Sequence, residues 1–147
     1  MKTLYDERRR REIHDRLRRL TPATVPQWGK FDAPKMVVHC ADAIQMALGR
    51  LPTTPKNLVI RRAPLKQLLV YWMPWPKGVP TARELLPGRP VNWGPERELL
   101  RQYMQSYPEL ESRASWPEHP AFGNMTTRAW GVLGYRHTDH HFRQFGI

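Results

Sequence analysis

Two histidines lie four residues apart near the end of the chain, at His137 and His141. Four residues make about one turn of an α-helix, so the two rings would project within about 40° of each other. Imidazole nitrogens at this spacing can bind one zinc or other divalent metal ion. Thr138 occupies the position where zinc proteases carry a glutamate, which excludes that class. The pair predicts a metal site, and the alternative interpretation is a polar helix end with surface histidines.

A third histidine, His39, lies within an apolar segment of helical periodicity. Met36 and Ala43 share its general face, which predicts that the ring points into the core. Burying three imidazoles without a shared partner would be costly, and a common metal ion removes that cost. Three protein ligands leave one coordination position for water or substrate, as in catalytic rather than structural zinc sites. We therefore predict that His39, His137 and His141 are the metal ligands.

Other side chains could support chemistry at the open position. Asp42, one turn after the first of these histidines, could orient a ligand through a hydrogen bond, although a solvated carboxylate is the more common role. His119 and His140 could move protons, the alternative being surface histidines. Trp130 and Phe122 could wall a pocket, or they could be ordinary core residues. The sequence leaves these alternatives open.

Hydrophobic periodicity predicts four main helices and one short extra helix. The predicted ranges are 4–20, 33–48, 64–72 for the extra helix, 94–107 and 127–144. Asp32 and Thr126 are suited to cap the second and the last main helix. Asp139 lies opposite the histidines of the last helix and is expected to be exposed. These elements predict an all-α domain that extends over residues 1–147.

Proline-rich connections separate the predicted helices. Fifteen prolines are present, and seven prolines and glycines interrupt the segment from residue 74 to residue 90. A loop of this length is expected to shape a site or to contribute to a dimer contact. The two short strand candidates, 59–60 and 69–71, have no hairpin partner. The connections therefore agree with a helical fold.

Composition limits the classes of protein that need consideration. The 147 residues are 40% hydrophobic and 25% charged, which suits one folded domain. No apolar run approaches the roughly 20 residues of a membrane span, and the first residues do not follow a signal-peptide pattern. We therefore expect a cytoplasmic protein without a membrane partner. The single cysteine, Cys40, permits no internal disulfide and is expected to be a buried, inert thiol.

The net charge of +11 permits binding to anions. The most basic stretch, residues 7–19, also carries acidic side chains at helical spacing. This pattern favours a solvated helix face with ion pairs over a surface dedicated to nucleic acid.

Several segments together resemble the DinB-like superfamily, and within it a branch whose members are mostly of unknown function. The resemblance is carried by QWGK at 27–30, MVVHCADA at 36–43, PKGVPT at 76–81, HPAFG at 119–123, and most specifically by residues 130–146. It implies an up-down-down-up four-helix bundle with zinc or nickel held by one histidine of the second helix and two of the fourth. The matching positions here are His39, His137 and His141.

The resemblance also bears on the reaction, because characterised members of the superfamily include thiol-dependent transferases and isomerases. The favoured hypothesis is a metal-dependent enzyme, either a hydrolase or a thiol-dependent transferase, that acts on a small-molecule or thiol substrate. The alternatives are a non-enzymatic basic binding module and a metal-free structural bundle that forms a homodimer.

Overall fold

The computed structural model of the chain describes residues 1–78, 81, 83–86 and 91–147. Within these ranges every regular element is helical, and His119 and Gly123 form an isolated antiparallel bridge. The α-helical elements are α1 (Glu7–Arg19), α2 (Ala33–Leu48), α3 (Leu65–Gln67), α4 (Trp93–Ser106) and α5 (Thr127–Gln144). The all-α prediction is confirmed for the described part of the chain. None of the described helices is long and apolar enough to cross a membrane.

Shorter helical turns connect these elements. α3 continues as a π-helical turn over Leu68–Trp72, so the predicted extra helix is present in a distorted form. Other turns are 3-10 helices at Val59–Arg61, Arg83–Leu85 and Tyr107–Ser112. The predicted loop over 75–90 includes positions 79, 80, 82 and 87–90, which lie outside the described residues.

The first helix begins at Glu7 rather than near residue 4. Asp6 caps it by accepting hydrogen bonds from two backbone N–H groups of the first turn. Leu4 is instead docked on α5, where its backbone N–H donates to the carbonyl of Gly131 at 3.1 Å. A Cβ atom at Gly131 would overlap the ring of Tyr5, so this close approach requires a residue without a side chain. The N-terminal residues thus pack on α5 before the helix starts.

The two helices that carry the histidines have the predicted ranges. The Asp32 carboxylate accepts from the backbone N–H of Lys35 at the start of α2. Gly49 ends α2 with a φ of 75°, a left-handed conformation that favours glycine. The Thr126 hydroxyl accepts from the backbone N–H of Ala129 at the start of α5. Both predicted N-caps are therefore confirmed.

Two apolar clusters fix the positions of α2 and α5. α2 packs against both α4 and α5, and α1 packs against the same two helices. The larger cluster includes Leu4, Ile13, Leu20, Met36, Val37, Leu100, Met104, Tyr107 and Phe142. The smaller cluster contains Met46, Ala47, Val70, Leu85, Phe122, Ala129, Trp130 and Leu133. Because α2 and α5 contribute to both clusters, their rotation about their own axes is determined by packing.

The prediction that Asp139 is exposed is wrong, since only 16% of its side chain is accessible. One carboxylate oxygen accepts from the guanidinium of Arg16 in α1 at 2.6 Å. The other pairs with Nε of Arg143 at 2.9 Å. Because α1 covers the side of α5 that is opposite the histidines, a residue facing away from them is still largely shielded from solvent. α5 is therefore held on both sides.

The basic first helix is lined with ion pairs, as its mixed charges predict. The pairs within it are Arg9–Glu12, Arg11–Glu7, Arg16–Glu12 and Arg18–Asp15. Burial opposes ionisation of Glu12, but hydrogen bonds from Arg9 and Tyr135 outweigh it and lower the pKa of Glu12 to about 2.

The lone cysteine is also placed as expected. Cys40 is buried in the larger cluster, and burial raises the pKa of its thiol. The prediction of a buried cysteine is confirmed, and a raised pKa makes the thiol less reactive.

Candidate metal centre

The three predicted histidines meet where α2 faces α5. One ligand atom from each of His39, His137 and His141 lies within 4.8 Å of the other two. The Nε2 atoms of His39 and His137 are 3.0 Å apart, and the ring of His141 is centred 4.7 Å from each of theirs. Two nitrogens bound to one zinc ion in a tetrahedron are about 3.3 Å apart, since each Zn–N bond is about 2.0–2.1 Å. The spacing of the His39 and His137 nitrogens is close to that of two ligands of one metal ion, and the ring of His141 lies next to both.

A backbone carbonyl orients the ring of His39. The Nδ1 atom of His39 lies 3.0 Å from the carbonyl oxygen of Leu85. A carbonyl oxygen can only accept a hydrogen bond, so Nδ1 must carry the proton. The neutral ring then has a lone pair on Nε2, the atom that faces His137. A metal-binding histidine is commonly held in this way through its second ring nitrogen.

A side-chain amide orients the ring of His141, again through its Nδ1 atom. The Nδ1 atom of His141 lies 2.9 Å from Oε1 of Gln144. The amide nitrogen of Gln144 donates to the carbonyl oxygen of Trp28 at 2.6 Å, which identifies the other amide atom as the oxygen. A Cβ atom at Gly29, where φ is 86°, would overlap this amide nitrogen. Nδ1 of His141 therefore donates, and its Nε2 has the lone pair.

Burial keeps the three imidazoles neutral. Burial lowers the pKa of His39, although the hydrogen bond to Leu85 partly opposes this. Burial, followed by the proximity of the other two histidines, lowers the pKa of His137 well below its ordinary value. The pKa of His141 falls to about 3, mainly because of burial. Neutral imidazole is the form that binds metal ions, so the site needs no deprotonation near neutral pH.

Aromatic rings lie next to the histidines. The ring of Phe31 is centred 5.2 Å from that of His39. The indole of Trp75 is centred 5.9 Å from the ring of His137 and 5.8 Å from that of His140. His140 itself is next to the site but outside the group of three that could share an ion. The candidate site is thus a set of three imidazoles beside aromatic rings.

The other residues considered from the sequence have different surroundings. Asp42 accepts a hydrogen bond from the Gln45 amide at 3.4 Å, and the role of orienting His39 belongs to a backbone carbonyl instead. Nδ1 of His119 accepts from the backbone N–H groups of the loop at 121 and 122. Trp130 and Phe122 lie in the smaller apolar cluster, which supports a core role for both.

Two groups that hold the histidines were missed from the sequence. Gln144 is three residues after His141, and on a helix this spacing places the two side chains on neighbouring turns of one face. That relation could have identified Gln144 in advance. Leu85 contributes only its backbone carbonyl and lies 46 positions from His39, so no side-chain pattern indicates its role.

Comparison with known proteins places the chain in an uncharacterised group. A family model with the description "Protein of unknown function (DUF1569)" matches residues 5–146. No curated protein matches the chain, and no solved structure does.

Proposed function

The chain belongs to the DUF1569 family, whose function is unknown, and on this premise we propose that it binds one divalent metal ion. The proposed ligands are the Nε2 atoms of His39, His137 and His141. The observation that carries the proposal is the placement of acceptors behind two of the rings. The Leu85 carbonyl and the Gln144 amide oxygen each bind an Nδ1–H group, which leaves Nε2 lone pairs on His39 and His141.

A metal ion fits these residues better than hydrogen bonding among the histidines alone. His137 has one Nε2 atom, so it can donate at most one N–H to either His39 or His141. At least one lone pair would then lack a partner within the triad, at a cost of about 1–3 kcal/mol where water does not reach it. His39 is 3% exposed, whereas His137 and His141 are partly buried. A cation shared by the three nitrogens accepts every lone pair.

The chemistry of the donor set favours zinc or nickel, since imidazole suits both ions. Three protein ligands leave a coordination position open, which is the arrangement of catalytic metal sites. When bound, such an ion would supply Lewis acidity, lowering the pKa of a water or thiol at the open position. We propose on this basis a metal-dependent hydrolase or thiol-dependent transferase with a small-molecule or thiol substrate. Phe31 and Trp75 would exclude bulk water from one end of the substrate.

The proposed function includes a fold assignment. We propose that α1, α2, α4 and α5 form a four-helix bundle of the DinB-like type, within a single domain. The packing of α2 and α1 against both α4 and α5 supports this proposal. The distribution of the ligands also supports it, because α2 carries one histidine and the last helix carries two.

Metal titration tests the proposal directly. We expect the chelator-treated protein to bind about one Zn²⁺ or Ni²⁺ ion per chain in calorimetry, with a Kd of about 1 μM or below. A free metal concentration of about 100 times the Kd should add about 2.7 kcal/mol to the free energy of unfolding, and the melting temperature should rise. Mg²⁺ is the control, because it prefers oxygen ligands and should produce neither effect. Absence of saturable zinc and nickel binding would contradict the proposal.

The proposed enzymatic activity needs a separate test. Zinc- and nickel-loaded protein should hydrolyse small esters or amides, or transfer a thiol to an electrophile, in a reaction that chelation stops and added metal restores. An activity that survives complete removal of the metal would contradict the metal-dependent mechanism.

Replacing Gln144 should separate ligand orientation from folding. We expect Gln144→Leu to weaken zinc binding by about 10- to 100-fold, because the acceptor that holds Nδ1 of His141 is lost. Gln144→Glu keeps an acceptor oxygen for His141 but loses the N–H that donates to the Trp28 carbonyl, so it should retain more affinity than Gln144→Leu without matching the unchanged protein. Calorimetry gives the affinities, and circular dichroism checks that both variants fold. Equal affinities in Gln144→Leu and the unchanged protein would rule out this role.

A further inference from the structure

Two cationic side chains lie on the indole rings of Trp28 and Trp75, which are close to the histidines of α5. The ammonium group of Lys77 lies 4.4 Å from the ring centroid of Trp28, and the guanidinium of Arg136 lies 5.7 Å from that of Trp75. Both indoles are in turn close to His140, at 6.1 and 5.8 Å between ring centroids. Positive charge is therefore concentrated on the side of the site where these tryptophans lie.

Among the described residues, the hydrogen bonds and ring contacts of these cations are with groups that carry no net charge. Arg136 donates to the carbonyl oxygens of Leu69 and Val70 at 3.0 and 2.7 Å, and also to that of Met73. Asp139, the acidic residue of α5, is already paired with two other arginines. Lys77 lies on the face of an indole. Carbonyl dipoles and ring faces stabilise cations without neutralising them, so a ligand nearby would experience a positive potential.

The ligand set adds to this positive charge. Three neutral imidazoles contribute nothing to offset the double charge of a divalent ion. Uncompensated charge is costly beside side chains as buried as His39, which is 3% exposed. An anionic group at the open coordination position reduces that cost. The metal ion and the two side-chain cations therefore all favour a negatively charged ligand.

The walls of the site determine what else the ligand should contain. Phe31 and Trp75 present ring systems next to His39 and His137, at 5.2 and 5.9 Å between centroids. Aromatic walls contribute most to binding when they contact an apolar or aromatic group. We propose that the substrate of this site is a small organic anion with an apolar or aromatic body, its charged atom at the metal and its body against Trp75. This inference rests on the proposed metal site.

Three probe molecules test the inference with zinc-loaded protein. Benzoate has both the charge and the ring, benzyl alcohol has the ring without the charge, and acetate has the charge without the ring. We expect calorimetry to give an affinity for benzoate about tenfold or more above that for either of the others. Equal binding of benzyl alcohol would overturn the requirement for an anion, and equal binding of acetate would overturn the role of the apolar wall. No saturable benzoate binding up to about 20 mM would overturn the inference as a whole.

Variants connect the probe affinities to the residues. Lys77→Gln should weaken benzoate binding about threefold or more and leave benzyl alcohol binding unchanged, since an exposed charge has a modest effect. Lys56→Gln, which alters another exposed lysine, should change neither affinity. Trp75→Ala should weaken benzoate binding about tenfold with little effect on acetate, whereas Trp75→Phe keeps a ring and should retain most of the affinity. Unchanged benzoate affinity in both Lys77→Gln and Trp75→Ala would overturn the assignment.

The zinc titration of the same protein tests the metal site separately from the proposed substrate class. Zinc binding of one ion per chain without preference for benzoate contradicts the proposed substrate class and leaves the metal site supported. Failure to bind zinc contradicts the metal site, and with it the inference about its ligand.

Discussion

Replacing His137 with alanine is expected to weaken zinc binding by more than about 100-fold. Loss of a group that only orients a ligand lowers metal affinity by about 10- to 100-fold, and loss of the ligand itself should lower the affinity by more than that. The Nε2 atom of His137 faces that of His39 at 3.0 Å, so its removal leaves two nitrogens where three converged. Calorimetric titration of the chelator-treated variant measures the effect, and circular dichroism verifies that the helices are retained.

His140→Ala is the matched control for this prediction. His140 lies on the same helix, three residues from His137, and its ring is centred 5.3 Å from that of His141. It lies outside the group of three that could share an ion, so its replacement should change zinc affinity by less than about threefold. Equal weakening by the two substitutions would reject His137 as a specific ligand. Unchanged affinity in His137→Ala would do the same.

The second large effect concerns stability, where Phe142→Ala should lower the free energy of unfolding by about 3–5 kcal/mol. The side chain is 0% exposed and belongs to the larger apolar cluster, so the substitution leaves a cavity rather than a solvated surface. The guanidinium of Arg16 also lies 5.5 Å from the centre of the ring and would lose that contact. Urea unfolding followed by circular dichroism measures the change.

Arg143→Ala serves as the comparison for Phe142→Ala. The side chain of Arg143 is 68% exposed and pairs with Asp139, so its loss should cost less than about 1 kcal/mol. A similar loss of stability in the two variants would mean that the helix as a whole, rather than the buried ring, determines the effect. A cost below about 1 kcal/mol for Phe142→Ala would contradict the packing argument.

Local rules explain which features were predictable from the sequence. His137 and His141 are one turn apart, and helix geometry alone places them on one face. Asp32 and Thr126 cap the helices that they precede, because a side-chain oxygen at that position can reach the free backbone N–H groups. His39 belongs to an apolar face, which indicates burial. The candidate ligands and the ranges of their helices follow from these short-range relations.

Only the general part of the family resemblance is confirmed, namely that the chain belongs to a family of unknown function. The match to DUF1569 over residues 5–146 agrees that the chain belongs to an uncharacterised family. The DinB-like assignment, the metal and the reaction stay predictions, and metal titration with the activity screen would address the last two.

Only the tertiary structure decided how the three candidate ligands are held and what surrounds them. The Leu85 carbonyl that binds His39 comes from another part of the chain, and so does the indole of Trp75 that lies beside His137. The partial burial of Asp139 likewise depends on where α1 packs against α5. Helical periodicity states which residues share a face, but it carries no information about which distant segment covers that face. The sequence by itself therefore determined the three histidines and their helices, while the path of the intervening chain decided their convergence, their tautomers and the cationic, aromatic border of the site.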